Sequence, residues 1–180
     1  MLILGIDPGT ARLGFGIIEV KSRKIAERKF SAQSAQSPKV TSLKYVESGC
    51  LETTLETPMP ERLLYLQKEI GKLLAKYKPD VLAIEALFFC VNAKTAIAVG
   101  QVRGVVLAES ARYHVPVFEY QGLSIKFAVT GFGRAKKKEI QESVRQILGM
   151  EKIVKPDDAA DGLAIAITHH IKTSCPKGKK

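Results

Sequence analysis

Apolar residues run without interruption along two short segments, and each run ends in an acidic residue. Residues 1–6 (Met-Leu-Ile-Leu-Gly-Ile) lead to Asp7, and residues 81–84 (Val-Leu-Ala-Ile) lead to Glu85. A short apolar run bounded by turn residues is typical of a strand in the core. A Pro-Gly pair follows Asp7 and favours a tight turn, because Pro fixes φ and Gly tolerates positive φ. We therefore predict two buried strands, each of which presents a carboxylate where it ends.

A helical pattern lies between these two strands. From residue 61 to residue 77 apolar side chains recur at helical spacing, at Leu63, Leu66, Ile70, Leu73, Leu74 and Tyr77. Pro60 and Pro79 flank the segment and suit the two ends of a helix. A strand, a helix and a further strand form a βαβ unit, so the two strands should be parallel and should bring Asp7 and Glu85 to the same edge of a sheet.

A second strand is predicted over residues 13–20, joined to the first by a hairpin. Its Gly14 and Gly16 indicate a bulge or a close backbone approach, which would leave room for a ligand beside Asp7. Residues 21–44 then carry seven basic residues and one acid. We interpret them as a protruding basic hairpin extension; a solvated loop without a role is the alternative. A third strand is predicted over residues 45–51, where it can pair back with the second.

Further helices are predicted over residues 93–113, 135–148 and 156–170, with a short strand over residues 116–120, which completes an α/β pattern. Gly100 and Gly104 lie four residues apart in the first of these helices. Small residues at this spacing allow close packing, either against a partner subunit or inside the same subunit. Residues 173–180 are predicted to form a basic, flexible tail.

Length and composition fit one domain with a sizeable core, since the chain has 180 residues, of which 46% are hydrophobic. The formal net charge is +10, from 28 Lys and Arg against 18 Asp and Glu. Such an excess favours a polyanionic partner such as nucleic acid, with simple solubility as the alternative. Cys50, Cys90 and Cys175 show no C-x-x-C spacing and suggest neither a disulfide framework nor a zinc site.

The chain lacks an apolar stretch of the roughly 20 residues that a membrane span requires, and its N-terminus does not have the layout of a signal peptide. We therefore expect a cytoplasmic protein that does not associate with membranes.

Two further acids occur in the first turns of the helix predicted over residues 156–170. Asp158 and Asp161 are three residues apart and so share a face, which Ala164 and Ile165 continue as a buried side. Part of this acidity complements the helix dipole. Two acids on the inward side of a helix nevertheless suggest a metal site shared with the carboxylates at the strand ends. The alternatives are that Asp7 accepts hydrogen bonds from its own turn and that Glu85 faces a helix N-terminus.

Basic residues cluster at the start of the helix predicted over residues 135–148, after a loop with two glycines. They are Arg134, Lys136, Lys137 and Lys138. Cations beside the free amides of a helix N-terminus suit phosphate binding, and a solvated basic turn is the alternative. Phe88 and Phe89, next to the acidic site, are either core residues or a wedge that unstacks bases.

Taken together, these segments resemble the RuvC family of Holliday-junction resolvases. The resemblance rests on four motifs that occur in order: residues 5–9 (Gly-Ile-Asp-Pro-Gly), residues 83–85 (Ala-Ile-Glu), residues 100–104 (Gly-Gln-Val-Arg-Gly) and residues 158–169, which begin Asp-Ala-Ala-Asp-Gly. It implies an RNase H-like fold, with a mixed sheet flanked by helices on both faces, and a homodimer that nicks opposing strands of a four-way DNA junction. A branch-migration helicase complex is the further partner it implies.

The resemblance also assigns roles to individual residues. The four metal-binding acids of the family fall on Asp7, Glu85, Asp158 and Asp161, the aromatic residue that helps to open the junction falls on Phe88, and the functional lysines fall on Lys126 and Lys137. The chain departs from the family pattern in two respects: residues 21–44 are longer than usual, and Lys136 and Lys138 make the loop around Lys137 more basic. Any of these three lysines could therefore contact the scissile phosphate.

The chemistry of phosphodiester hydrolysis suits these residue types. Two Mg²⁺ ions about 4 Å apart can generate the nucleophile and stabilise the leaving oxygen, and Mg²⁺ prefers carboxylate and water oxygens. Asp7, central in the sheet, is expected to bridge both ions, with Glu85 on one ion and Asp158 and Asp161 on the other. Mn²⁺ is expected to substitute for Mg²⁺.

Three other classes of protein remain as alternatives. The opening Gly-Ile-Asp-x-Gly-Thr also resembles the phosphate loop of actin-like sugar kinases, but those need a second domain that 180 residues cannot supply. A single-strand or RNA nuclease would share the acids, and a catalytically inactive junction-binding module would not need all four. His169 and His170 lie well beyond Asp161 on the same helix, and we expect them to be core or surface residues rather than metal ligands.

Overall fold

The computed structural model has an α/β fold and describes residues 1–23, 40–87 and 93–174. Its elements are, in chain order, β1 (Leu2–Asp7), β2 (Arg12–Arg23), β3 (Val40–Glu52), α1 (Met59–Tyr77), β4 (Val81–Glu85), α2 (Ala93–Arg112), β5 (Val117–Tyr120), α3 (Gly122–Thr130), α4 (Lys137–Ile147) and α5 (Asp157–Ser174). The helices and strands predicted from the sequence are all present, and α3 is an additional helix.

The five strands form one mixed sheet in the order β3-β2-β1-β4-β5. β1, β2 and β3 are antiparallel neighbours, whereas β4 is parallel to β1 and β5 is parallel to β4. Ile6 lies opposite Ile84, so Asp7 and Glu85 end adjacent strands side by side. The prediction of a βαβ unit that brings both acids to one edge is confirmed.

Helices cover both faces of the sheet, and the alternation of side chains along each strand decides which face a residue meets. Leu4 and Ile6 of β1 pack with α1 and α2, whereas Ile3 packs with α3, α4 and α5. β4 alternates in the same way, with Ile84 on the side of α1 and α2. Asp7 and Glu85 each follow an isoleucine of that side, so their carboxylates point to the opposite side, where α5 lies.

Glycines allow α5 to lie directly on the strands. A Cβ atom on Gly14 would come within 2.0 Å of the carbonyl oxygen of Asp158, and one on Gly16 within 2.4 Å of the backbone nitrogen of Leu163. The prediction that these glycines leave room for a ligand is therefore wrong, because the backbone of α5 fills that space. Because neither glycine has a side chain, α5 packs closely on β2, and its acids lie near the end of β1.

Two predicted segments differ from the structure by more than two residues at an end. The hairpin formed by β2 and β3 continues as paired strands to Arg23 and Val40, so the ends of the predicted extension at residues 21–44 are strand. The remaining residues of the extension, 24–39, lie outside the described residues. α5 runs on to Ser174, so the tail predicted over residues 173–180 begins in a helix. Within the three described ranges, no helix is long and apolar enough to cross a membrane.

Candidate active site

Three of the four predicted acids line one cleft at the edge of the sheet where β1 and β4 end. The cleft has a volume of about 280 Å³, and Asp7, Glu85 and Asp161 face it together with the basic residues Lys126 and Lys137. Gly122, Ile125, Ile140, Ala164 and Ile165 complete its lining. Five charged residues from five different elements thus meet in one small space.

Local backbone features set the position of each acid in the cleft. Asp7 and Glu85 are neighbours because β1 and β4 are parallel and in register. Gly122 begins α3 beside Glu85, and a Cβ atom on it would come within 2.4 Å of the Glu85 Oε1 atom. The absence of a side chain at this position lets the carboxylate of Glu85 lie against the start of α3.

The carboxylates in the cleft hold protons unusually tightly. Burial and the nearby charge of Glu85 raise the pKa of Asp7 to about 7. Burial and the charge of Asp7 raise the pKa of Asp161 to about 6. Burial also raises the pKa of Glu85, although the hydrogen bond that it accepts from protonated Asp7 acts in the opposite direction. Burial is the largest cause in each case, so the ionised carboxylates are poorly solvated in the cleft, and their mutual repulsion adds to this effect.

Asp158, the fourth predicted acid, is directed toward Arg12 at the start of β2. Its Oδ2 atom lies 3.4 Å from Arg12 Nη1, and Arg12 Nη2 lies 2.9 Å from Glu52 Oε1. The side chain of Asp158 is only 17% exposed, and its charge contributes to the raised pKa of Asp7. Asp158 thus acts electrostatically on the cleft from its border.

The predicted basic cluster is divided by the fold. Lys137 in the first turn of α4 reaches the cleft and donates a hydrogen bond of 2.7 Å to Asp157. This contact raises the pKa of Lys137 and lowers that of Asp157. Arg134, Lys136 and Lys138 are exposed on the surface. Lys126 on α3, a helix that the sequence pattern does not predict, lines the other side of the cleft.

The turn after Asp7 is anchored to the rest of the domain. The carbonyl oxygen of Thr10 accepts a hydrogen bond of 2.7 Å from the Thr53 hydroxyl group and another from the guanidinium group of Arg62. Arg62 is buried and also donates to Thr53 Oγ1 at 3.0 Å. The end of β1 is thereby held to α1 and to the segment after β3.

Sequence reasoning missed three charged residues that support the site. Arg12 pairs with Asp158, Asp157 holds Lys137, and Arg103 donates a hydrogen bond to the backbone carbonyl of Glu85. The register of β2 and β3 puts Arg12 opposite Glu52, which is a signal only once the pairing is known. Arg103 lies in one of the motifs that carry the resemblance, but its contact with Glu85 is made to a backbone atom and leaves no sequence signal.

The two consecutive histidines of α5 are structural. His169 Nδ1 lies 2.8 Å from the Tyr120 hydroxyl group, and His170 Nε2 lies 3.3 Å from Thr41 Oγ1. Both are buried, and burial lowers the pKa of each. Their positions match the core role that the sequence predicts as one of two possibilities. Phe88, the predicted wedge, lies outside the described residues, as do Cys90 and Cys175. Cys50 is a free, half-buried thiol whose pKa burial raises to about 11.

The donors at the cleft fit a hard divalent cation, since all of them are carboxylate oxygens whose mutual repulsion a cation would relieve. Across the described ranges, no three Asp, Glu, His or Cys side chains already converge closely enough to hold an ion. Mg²⁺ does not require such a cage, because it keeps several waters and binds through one or two carboxylates together with substrate phosphates. The residues are therefore compatible with metal bound mainly in the presence of substrate.

The mixed sheet with carboxylates at its edge defines the class: this is an RNase H-like α/β protein. The solved structure of Thermus thermophilus RuvC aligns with a TM-score of 0.79 and 30% identity, over 96% of this chain and 95% of that one. The T. thermophilus RuvC in complex with a Holliday junction substrate aligns with a TM-score of 0.78 and 28% identity, over the same shares of the two chains.

Sequence comparison identifies the family. The profile described as crossover junction endodeoxyribonuclease RuvC matches residues 3–169. The crossover junction endodeoxyribonuclease RuvC of Desulfitobacterium hafniense is 48% identical over 169 residues, which are 94% of this chain and 92% of that protein. The chain belongs to the RuvC family, and the family resemblance of its sequence motifs is confirmed.

Proposed function

We propose that this protein is a structure-selective endonuclease that resolves four-way (Holliday) DNA junctions. It hydrolyses phosphodiester bonds in two opposing strands in a metal-dependent reaction, and it acts in homologous recombination and DNA repair in the cytoplasm. The observation that carries the proposal is the cleft itself, in which Asp7, Glu85 and Asp161 meet Lys126 and Lys137 in a chain of the RuvC family.

The three acids of the cleft and Asp158 at its border supply the metal-binding groups. We assign Asp7, Glu85, Asp158 and Asp161 as ligands of two Mg²⁺ ions, which Mn²⁺ can replace. Asp7 interacts electrostatically with both Glu85 and Asp158, which supports it as the ligand shared by the two ions. Bound metal would supply an activated water and stabilise the negative charge on the leaving oxygen.

The lysines of the cleft supply positive charge to the substrate. Lys137, whose raised pKa keeps it protonated, neutralises the scissile phosphate from the α4 side, and Lys126 does so from the α3 side. Asp157 orients the ammonium group of Lys137 through their 2.7 Å contact. Arg134, Lys136 and Lys138 bind phosphates further along the backbone, and Phe88 assists in opening the junction.

A homodimer would provide the two active sites that paired nicks require. An exposed stripe of small residues on α2 supports this assignment. A Cβ atom added to Gly104 would meet no atom of another part of the described chain within 4 Å, and Ala108 and Ala111 on the same side of the helix are exposed. A branch-migration helicase complex would deliver the junction to this dimer.

The decisive experiment uses a four-way junction labelled on each strand in turn, together with a duplex of matched sequence, with and without Mg²⁺. The proposal predicts symmetric nicks in two opposing strands, confined to the junction and dependent on metal. The Asp161→Asn variant should not cleave, whereas Glu142→Gln, which changes a partly exposed side chain of α4, should cleave as the wild type does. Cleavage of the duplex alone, or of RNA alone, would contradict the proposal, and binding without nicking would indicate an inactive junction-binding module.

A further inference from the structure

Three large apolar side chains on and just after α3 are exposed beside the acidic cleft. Leu123, Phe127 and Phe132 are 66%, 60% and 62% exposed. Their neighbours Ile125 and Val129 are buried in the core, so the helix has one apolar side inside and another outside. We call Leu123, Phe127 and Phe132 the apolar platform. The loop of Phe132 returns to the start of α3, since a Cβ atom on Gly133 would lie 3.7 Å from the carbonyl oxygen of Leu123. Exposed apolar side chains that are grouped in this way on a folded domain indicate an interaction site.

The geometry of α3 connects the platform to the cleft. Leu123 and Phe127 are four residues apart and lie on the same side of the helix. At about 100° per residue, they lie roughly 60° and 100° around the helix axis from Lys126, which lines the cleft. A DNA strand that lies along Lys126 can therefore contact the platform with its adjacent nucleotides.

The loop that carries Phe132 is held against the end of α3. The backbone N–H of Gly131 donates to the carbonyl oxygen of Phe127 at 2.8 Å. The backbone N–H of Phe132 donates to Thr130 Oγ1 at 3.1 Å, and this hydroxyl group donates to the carbonyl oxygen of Lys126 at 2.8 Å. Because its backbone is fixed before any ligand arrives, a contact by Phe132 loses less conformational entropy on binding.

The charges around the platform indicate its occupant. Arg134, Lys136 and Lys138 follow Phe132 within six residues and are exposed, and the side chains of these three form no ion pair within the described ranges. Aromatic faces among free cations suit a polyanion that carries flat apolar groups, which is nucleic acid with accessible bases. An isologous contact with a second copy would instead bring the cations of two subunits together.

We propose that Phe127 and Phe132 of the apolar platform stack against nucleobases exposed at the strand-exchange point of the junction, with Leu123 as an apolar contact beside them, while the surrounding cations hold the flanking phosphates. The inference rests on the proposed function and adds to it base-binding residues other than Phe88. Stacking of one base on one aromatic side chain corresponds to a loss of about 5- to 150-fold in affinity when the side chain is replaced by alanine.

The test is a double-mutant cycle between the protein and the DNA. Binding of a four-way junction is measured in EDTA, so that no cleavage occurs, for the wild type and for the Phe127→Ala/Phe132→Ala variant. The same junction is then used with an abasic nucleotide at each position near the crossover in turn. At one or more positions, the wild type should bind the abasic junction more weakly than the intact junction. The variant should bind the two junctions equally at these positions. A coupling of at least about fivefold supports stacking.

Two further variants separate stacking from other effects. Phe127→Leu/Phe132→Leu retains apolar bulk without an aromatic face, and it should bind the junction nearly as weakly as the alanine variant. Tyr65→Ala, which removes a 41% exposed aromatic side chain from α1 on the opposite side of the sheet, should bind as the wild type does. The platform variants should also keep the salt dependence of the wild type, whereas Lys136→Gln should reduce its slope by about 0.9.

Each of the other outcomes overturns the inference. If the affinity loss of the alanine variant and the affinity loss caused by the abasic nucleotide add at every position, the platform contacts no base. A variant that is monomeric where the wild type is dimeric would identify a second copy as the occupant. If the wild type does not prefer the junction over duplex at all, the proposed function fails, and the inference fails with it.

Discussion

Arg103 on α2 donates a hydrogen bond from its guanidinium group to the backbone carbonyl of Glu85, the last residue of β4. Its side chain is only 9% exposed, and its second contact is an ion pair with Glu119 of β5, with 2.9 Å between Nη2 and Oε1. One side chain thus ties the end of β4 to a helix and to the neighbouring strand. Arg103 is a positioning residue, because it fixes the backbone from which the Glu85 carboxylate enters the cleft.

Replacing Arg103 with alanine should lower the free energy of unfolding by about 1–3 kcal/mol, since the carbonyl of Glu85 loses its partner. It should also raise the Mg²⁺ concentration needed for half-maximal junction cleavage, because the carboxylate is no longer held in place. Urea unfolding and a Mg²⁺ titration of cleavage measure the two effects. Glu119→Gln is the matched control: it removes only an ion pair with a half-exposed acid and should cost under about 1 kcal/mol. An unchanged Mg²⁺ titration for Arg103→Ala would rule out the positioning role.

The close approach of α5 to β2 makes Gly14 a sensitive position. A side chain there would meet the carbonyl oxygen of Asp158 at 2.0 Å, so Gly14→Ala must displace the first turn of α5. We expect a loss of about 1–3 kcal/mol in stability and at least a tenfold loss of junction cleavage, because Asp158 and Asp161 move with the helix. Thermal unfolding and initial cleavage rates provide the measurements.

Gly104→Ala is the control for this substitution. A Cβ atom on Gly104 meets nothing within 4 Å in the described part of the chain, and alanine is favoured over glycine in a helix by about 0.5–1 kcal/mol. Because Gly104 lies on the stripe assigned to the dimer, the variant controls for the stability of the subunit and not for cleavage. In urea unfolding it should be at least as stable as the wild type. If Gly14→Ala were equally well tolerated, the packing of α5 against β2 would not be what positions the acids.

The sequence predicts those parts of the site that depend on local pattern. The apolar runs before Asp7 and Glu85 and the helix between them determine that both acids reach one edge. The helix α3 escapes prediction, because the apolar residues 123, 125, 127 and 129 alternate as in a strand. The role predicted for Gly14 is wrong for a different reason: a glycine in a strand indicates a close approach, but the approaching group is known only from tertiary packing.

Divalent metal should stabilise the protein as well as activate it, because it relieves repulsion among the carboxylates of the cleft. With Mg²⁺ at about 100 times its dissociation constant, the gain is about 2.7 kcal/mol, or a rise of roughly 5–10 °C in Tm. Asp7→Asn should abolish this rise. Asp157→Asn should retain the rise, since Asp157 accepts a hydrogen bond from Lys137 and is not assigned as a metal ligand. Thermal unfolding of the three proteins in EDTA and in Mg²⁺ measures the effect, and a full Mg²⁺ response in Asp7→Asn would exclude Asp7 as a ligand.

The raised pKa of Asp7 also fixes the sign of a pH effect on the metal-free protein. In the unfolded chain Asp7 loses its proton near its ordinary pKa of 3.8, whereas in the folded protein it keeps the proton up to a pKa of about 7. Between these two values the folded state binds more protons than the unfolded state, so the contribution of Asp7 to stability falls as pH rises. The pKa of Asp161, raised to about 6, acts in the same direction.

In EDTA, the stability of Asp7→Asn relative to the wild type should therefore increase as pH rises from about 4 to about 7 and should then level off. The slope cannot exceed about 1.4 kcal/mol per pH unit, because one group titrates. In Mg²⁺ at neutral pH the wild type should instead be more stable than Asp7→Asn, since metal binds the deprotonated carboxylate. Asp157→Asn is the control: the pKa of Asp157 is lowered by Lys137, so its effect should be constant over this range. Urea unfolding at each pH measures the difference, and a constant offset between Asp7→Asn and the wild type would show that Asp7 is already ionised in the metal-free cleft.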